Sequence, residues 1–458
     1  WGSSGGLPLK REWLPTTVRL RSHPVPRVKT MPEQRERIAV IGGGIAGLGC
    51  AYFLREHFDI VLFEKNISAG GHVNTVDILE GERKVPVDTG FMVFNKVTYP
   101  NFSKLLDKLS VPLIPTDMSF SVQHHPIDIE WSGTGFKRFF ANRKNLTNGF
   151  FWRFLFSVND FNREAREILK LEKFNGHTVE DFVIEKRLER SLLDLYLLPM
   201  MSSLWSAPPE LMLKFPVALL VRFMYSHGLL SVYDKLSWYT IKNGARTYVE
   251  TLVRHFADRM KTGESVKRVT QRKDNVELEF DSGRLEYFDR CILACHADQA
   301  MAMLTEESGF EKSILSNFTY QKNLATLHKD CTVMPANTGN WASWNYKIMR
   351  NGGRELFATT HYWMNSLQKV SQNENYFVTI DSADSIRPQS IVKQIEYEHP
   401  IFSLAALKAQ EKVEQLNQDP SNRRLFFAGS YFKYGCHEDA FSSALRLSER
   451  LLGRPVWN

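Results

Sequence analysis

Residues 38–64, Ile-Ala-Val-Ile-Gly-Gly-Gly-Ile-Ala-Gly-Leu-Gly-Cys-Ala-Tyr-Phe-Leu-Arg-Glu-His-Phe-Asp-Ile-Val-Leu-Phe-Glu, decide the reading of this chain. A short apolar strand, Ile38 to Ile41, runs into Gly42, Gly44 and Gly47 in G-x-G-x-x-G spacing. A helix follows, and a second apolar strand, Ile60 to Phe63, ends at Glu64. Gly42 permits the tight turn, Gly44 admits a pyrophosphate close to the backbone, and Gly47 lets helix and strand pack closely. The free N–H groups and dipole of the helix N-terminus favour the diphosphate, and Glu64 is placed for ribose hydroxyls. Glycines alone mark ordinary turns. Strand, helix, second strand and acid together predict a bound dinucleotide.

Working outward, 458 residues suggest two or three lobes, and 43% apolar with 24% charged residues is ordinary globular composition. No run of eighteen uncharged apolar residues appears, so the sequence predicts no membrane-spanning helix. Cys50, Cys291, Cys295, Cys331 and Cys436 are scattered and odd in number, without C-x-x-C. This predicts an intracellular, reducing compartment and neither a disulfide framework nor a metal site. The net charge of +7 is concentrated at one end. Lys10, Arg11, Arg19, Arg21, Arg27 and Lys29 against Glu12 supply +5 of it within residues 1–30. The rest of the chain gives no reason to expect nucleic acid as a partner. Residues 1–36 read as a basic leader outside the fold, compatible with organelle targeting and equally with an extension that is not native.

The dinucleotide domain extends beyond its first part, 37–120. Helical periodicity over Tyr248–Met260, strands at Val266–Val269, Val276–Phe280 and Leu285–Phe288, and the buried run Arg290–Cys295 place a second part at 236–300. Arg424–Ala428, Gly429 and a helix from about Glu438 to Leu452 make a third at 416–458. Two inserted stretches, 121–235 and 301–415, are rich in aromatic residues and read as a second lobe. The expected fold class is α/β: a discontinuous Rossmann-like domain with an inserted mixed α+β substrate domain.

Gly70-Gly71-His72, Val87-Asp88-Thr89-Gly90-Phe91 and Phe427-Ala428-Gly429-Ser430 before a helix complete a pattern. From Arg37 onward the chain resembles the FAD-dependent amine oxidase superfamily, which includes monoamine and polyamine oxidases, protoporphyrinogen oxidase and carotenoid desaturases. Gly71–Thr75, Trp341–Tyr346, Tyr362–Asn365 and Gly435–Asp439 resemble one branch, the flavoproteins associated with cyclopropane-fatty-acid synthase. The resemblance implies FAD. It implies that Gly42, Gly43, Gly44, Ile45, Ala46 and Gly47 hold the pyrophosphate, with Glu64 and Lys65 at the adenosine ribose. Gly70, Gly71 and His72 would pass near the phosphates, Gly90 and Phe91 would belong to the cofactor-binding set, and Val266 would meet the adenine through its main chain. Gly429 and Ser430 would lie beside the ribityl group, and Glu438, Asp439 and Ala440 would open the helix aimed at the flavin. Two positions depart from the family pattern. His72 replaces an arginine, and Ser430 replaces an acid.

Flavin chemistry asks the protein mainly for orientation and a dry pocket, so the lack of a triad or metal cluster does not argue against catalysis. Tyr434, His437 and Glu438 lie in the loop that the resemblance places against the flavin; they either transfer or gate, or merely cap the closing helix. Cys436 reads as a buried neutral thiol. Trp341, Trp344, Tyr362 and Trp363 are candidates for core packing or for lining a substrate tunnel. Residues 136–156 combine Lys137, Arg138, Arg143, Lys144 and Arg153 with eight aromatic residues, and no acid falls between Glu130 and Asp160. This suits either an anionic membrane surface or a half-buried helix pair. The resemblance implies an oxidoreductase taking hydride at flavin N5 from an apolar, lipid-like substrate, with a fatty-acyl chain as first choice. A methyltransferase of the cyclopropane-synthase type is the partner it suggests. A redox-neutral double-bond isomerase, a carotenoid or amine oxidase, and a lipid carrier resembling Rab GDP-dissociation inhibitors are the other readings.

Overall fold

The computed structural model describes residues 35–133, 139–140, 142–170, 174–230, 236–350, 356–421 and 423–457. Apart from its last two residues, the basic leader lies outside the described residues, as do Lys137 and Arg138.

The apolar run Arg37–Ile41 (β1) is buried on both faces, as a central parallel strand must be. It pairs in parallel with Asp59–Glu64 (β2) and with Arg290–Leu293 (β4). Met260–Thr262 (β3) adds to β2, and Leu425–Phe427 (β5) adds to β4. The sheet order is therefore β3-β2-β1-β4-β5, and the order reverses between β1 and β4. That reversal opens a crevice at the carboxyl ends of the strands, where α/β folds bind ligands. The expected Rossmann-like sheet is present, built from three separated stretches of chain.

Two helices cover one face. Ile45–Leu54 (α1) is buried along almost its whole length. It packs on the closing helix His437–Leu452 (α4), where a Cβ at Gly49 would come within 3.1 Å of Ala444 and Phe441. Pro100–Lys108 (α2) lies against the first turns of α4, at Glu438, Phe441 and Ser442. A three-stranded antiparallel sheet, Val266–Gln271, Val276–Phe280 and Leu285–Phe288, packs its apolar side beneath the main sheet.

A second layer is a seven-stranded sheet. Its order is Ile391–Ile401, Thr319–His328, Phe377–Ile380, Leu356–Trp363, Trp344–Arg350, Phe120–His124, Ile129–Ser132. Helices including Gly149–Lys170 (α3) and Val217–Ser226 close over one end, around a core of Phe151, Phe154, Phe161, Trp205 and Phe215. Among the described residues no helix is long and apolar enough to cross a membrane.

The sequence reading differs at one edge. The helical pattern over Tyr248–Met260 stops at Val253, and Met260 opens β3. A three-residue strand is too short to carry a period of its own.

Candidate functional site

The crevice is built by glycines that tolerate no side chain. Gly42 sits at φ +108°, and a Cβ there would lie 2.5 Å from the Ala294 carbonyl oxygen. A Cβ at Gly47 would lie 1.9 Å from the Gly42 carbonyl oxygen, which enforces the close helix–strand contact. Gly44 is different: a Cβ there meets nothing within 4 Å. Its glycine keeps open a space in front of α1. Gly44 is the N-cap without a side-chain cap, and Leu48 N–H is the first to return to the Gly44 carbonyl. The Ile45, Ala46 and Gly47 N–H groups therefore point outward without intrahelical partners.

The Glu64 carboxylate closes the other side. Its Oε2 accepts from Gly43 N at 2.7 Å, and its Oε1 accepts from Asn66 N and Nδ2. A spare lone pair on Oε2 remains for a ribose hydroxyl. Glu264 N donates to the Glu64 carbonyl, which brings the strand beginning at Val266 beside the same end. Lys65 is exposed here. Gly70 N donates to the Gly43 carbonyl, and a Cβ on Gly71 would lie 3.2 Å from the Gly44 Cα. The paired glycines thus pass directly over the fingerprint loop.

His72 does not replace the missing arginine charge. Its Nε2 donates to the Glu398 carbonyl at 3.1 Å, and it stacks on Tyr397 between His296 and His399. Burial brings its pKa down to about 4, so the ring is neutral. His72 holds backbone instead. Its carbonyl accepts from Phe91 N, and a Cβ on Gly90 would come within 2.1 Å of that oxygen.

Phe91 leads to the closing helix, where its ring stacks on His437 at 3.9 Å and 14°. His437 Nε2 lies 2.8 Å from the Tyr248 hydroxyl. Burial lowers its pKa to about 3, so it is neither an acid nor a cation at neutral pH. Glu438 is fully engaged. Its Oε2 accepts from Phe102 N at 2.9 Å, and its Oε1 accepts from Asn101 N, Asn101 Nδ2 and Ser442 Oγ. It caps α2 from across the interface, which sequence could not show because the acceptor stands more than 330 positions away. Asp439 Oδ2 accepts from Cys436 N and Tyr434 N, completing a capping box with the Cys436 thiol. Burial pushes that thiol well above its ordinary value, so it is neutral. Ala440 is buried in the first turn. The His437 and Glu438 N–H groups face outward, in the position suited to a developing negative charge. Gly429 N is fixed by Ser443 Oγ at 2.9 Å, with Ser430 following.

The four aromatic substrate candidates separate. Trp344 and Tyr362 are cross-strand partners on the face turned toward the nucleotide lobe, with rings 4.9 Å apart. Trp341 and Trp363 pack on each other at 5.2 Å, in a small cluster with Val333, Phe377 and Ile386 on the opposite face. Strand alternation decides this, because Trp363 follows Tyr362 directly. Of the aromatic segment, Phe140, Phe151 and Phe154 belong to the helical core, while Phe150, Trp152 and Phe156 are exposed beside Arg143, Lys144 and Arg153. Two structural roles escaped the sequence reading. Buried Asp88 accepts from Ala245 N, Thr75 Oγ1 and Gln368 Nε2, tying the Thr75–Asp88 hairpin to the start of the Arg246–Val253 helix. His227 lies between Phe223 and Trp238.

These features fit an FAD: an open approach at Gly44, free N–H groups on α1, an acid at β2 and a second helix N-terminus beyond Phe91. The family model for flavin containing amine oxidoreductase matches residues 45–321. The chain belongs to that family, and is an FAD-dependent oxidoreductase. Among solved structures, putrescine oxidase bound to putrescine superposes with a TM-score of 0.65 at 12% identity, over 92% of this chain and 99% of that one. Cyclohexylamine oxidase from Brevibacterium oxydans IH-35A gives 0.65 at 15%, over 91% and 100%. The CLA-producing fatty acid isomerase from P. acnes gives 0.64 at 15%, over 91% and 98%. At these identities the likeness is one of fold. No curated protein matches the sequence.

Proposed function

We propose that the enzyme oxidises an apolar, lipid-like substrate, with a fatty-acyl chain as the first choice. One observation carries the reading. The three central strands of the seven-stranded sheet, Trp344–Arg350, Leu356–Trp363 and Phe377–Ile380, contain no Asp or Glu. On one face they present Trp344, Tyr362, Val378 and Ile380, which pack with the Thr75–Asp88 hairpin, and Tyr346, Ile348, Ala358 and Thr360, which meet the helices. A cationic amine would find no carboxylate there to offset its desolvation, whereas an alkyl chain loses nothing.

Bound FAD supplies the hydride acceptor. The chain's own residues orient and exclude. Phe91 and neutral His437 form a rigid stack, the Tyr248 hydroxyl fixes the imidazole, and the His437 and Glu438 N–H groups favour negative charge at the cofactor edge. Neither Glu438 nor Cys436 is free to act as a base.

A redox-neutral isomerase is the second reading, since the fold matches the fatty acid isomerase as well as it matches the amine oxidases. Mixing the purified protein with an unsaturated fatty acid without oxygen separates them. Bleaching of the flavin bands near ~450 nm supports oxidation. Unbleached flavin with moved double bonds supports isomerisation, and an unchanged lipid with unbleached flavin refutes both.

A further inference from the structure

On the helical side of the site, two cations stand without carboxylate partners among the described residues. Arg222 and Lys433 are exposed, and neither forms an ion pair among the described residues. Both act on Tyr434: Lys433 Nζ lies 4.9 Å from the centre of its ring, and the Arg222 charge offsets part of the upward shift that burial gives its hydroxyl. Asp439, on which the Lys433 charge also acts, is buried and accepts from the Tyr434 and Cys436 N–H groups. Beneath this pair the lining turns aromatic. Phe223, one residue beyond Arg222, has its ring 6.1 Å from Tyr434 and 3.9 Å from His227. His227 in turn faces Trp238.

His227 adds an independent mark. It is 7% exposed, and its Nδ1 donates to the Phe223 carbonyl at 2.9 Å. That bond fixes the tautomer and leaves Nε2 as an acceptor without a hydrogen-bond partner among the described residues. Burial and the Lys433 charge both disfavour protonation there.

We propose that Arg222 and Lys433, with Tyr434 between them, bind the carboxylate of an amphiphilic substrate whose chain runs inward over Phe223 and His227. The inference rests on the apolar-substrate reading and adds a head group to it. Two exposed cations repel an alkylammonium and attract a carboxylate, which an arginine fork can grip with two parallel hydrogen bonds. An uncharged ester gains only the apolar contacts.

The test uses the FAD-loaded protein and tryptophan fluorescence with three probes below their micelle concentrations: dodecanoic acid, its methyl ester and dodecylamine. In the wild type the acid binds about tenfold tighter than the ester, the scale of one charge-assisted contact at a partly exposed site. In the Arg222→Gln/Lys433→Gln variant that preference falls to about twofold or less, while ester affinity, FAD absorbance per chain and unfolding midpoint stay unchanged. Equal binding of acid and ester to the wild type overturns the head-group site and leaves the apolar reading standing. So does a double variant that keeps the full preference. Tightest binding of the amine, or no binding of any probe, overturns both.

Discussion

Replacing Glu438 separates a structural carboxylate from a chemical one. In Glu438→Ala, Phe102 N–H and Asn101 N–H lose their acceptors at the start of α2, and Ser442 Oγ and Asn101 Nδ2 lose theirs. Phe102 is fully buried, so water cannot readily replace the lost acceptor. An unsatisfied buried donor costs about 1–3 kcal/mol, and loss of a helix cap about 1 kcal/mol. Asn101 is only half-buried and recovers part of its loss from solvent. Removal of the desolvated carboxylate, whose pKa burial raises, returns a little more. The expected loss is about 2–4 kcal/mol. Urea unfolding of the cofactor-free protein measures it, and Glu438→Gln should retain part of the stability through its remaining oxygen. Flavin content should fall with the folded fraction, and turnover per bound flavin should stay within a few fold of wild type. A Glu438→Ala protein as stable as wild type, with normal flavin content and no turnover, would refute the capping argument and make Glu438 a proton-transfer group.

Gly44→Ala should leave the cofactor-free protein as stable as wild type, because its methyl meets nothing, yet abolish the flavin absorbance of the purified protein. Gly47→Ala should lose several kcal/mol (about 3 or more) as well, since its methyl meets backbone at 1.9 Å. Acid unfolding of the cofactor-free protein should be steep. Burial holds His361, His399 and His437 at about 3 and His72, His227 and His328 at about 4. Their contribution is present above about 6.5 and lost as pH falls. Asp88 and Asp439, raised to about 6, act in the opposite direction between about 3.8 and 6. With six imidazoles against two carboxyls, stability should fall by about 5 kcal/mol per pH unit near pH 5, and a slope below about 1 kcal/mol would contradict it. Changing Trp152, Phe156, Arg143 and Arg153 to Ser should abolish any sedimentation with anionic liposomes while leaving flavin content intact. If sedimentation survives these changes, the exposed aromatic face is not a membrane contact.

The nucleotide lobe was legible because its determinants are local: a run of consecutive residues specifies β1, the turn, α1 and β2. The late strands were readable from buried apolar runs such as Cys291–Leu293. Roles set by distant partners were not. Glu438 reads as a first-turn acid of its own helix, and only packing of α2 against it reveals which donors it serves. Trp341, Trp344, Tyr362 and Trp363 look alike as composition, and strand pairing divides them between two faces. His227 carried no motif at all. Its place depends on the helix Val217–Ser226 meeting the strand at Trp238.

The sheet that cradles the cofactor is assembled from segments at opposite ends of the sequence, and this sets an order of events during synthesis. The fingerprint at residues 38–64 leaves the ribosome long before β5 at Leu425–Phe427 exists. At about 5–20 residues per second the gap is roughly 20–70 s. Throughout that interval α1 lacks the helix that covers it, and once β4 is made its outer edge has no neighbour until β5 follows. A half-made chain therefore exposes an open strand edge and an apolar helix, both invitations to aggregation. Cofactor capture belongs to the completed polypeptide.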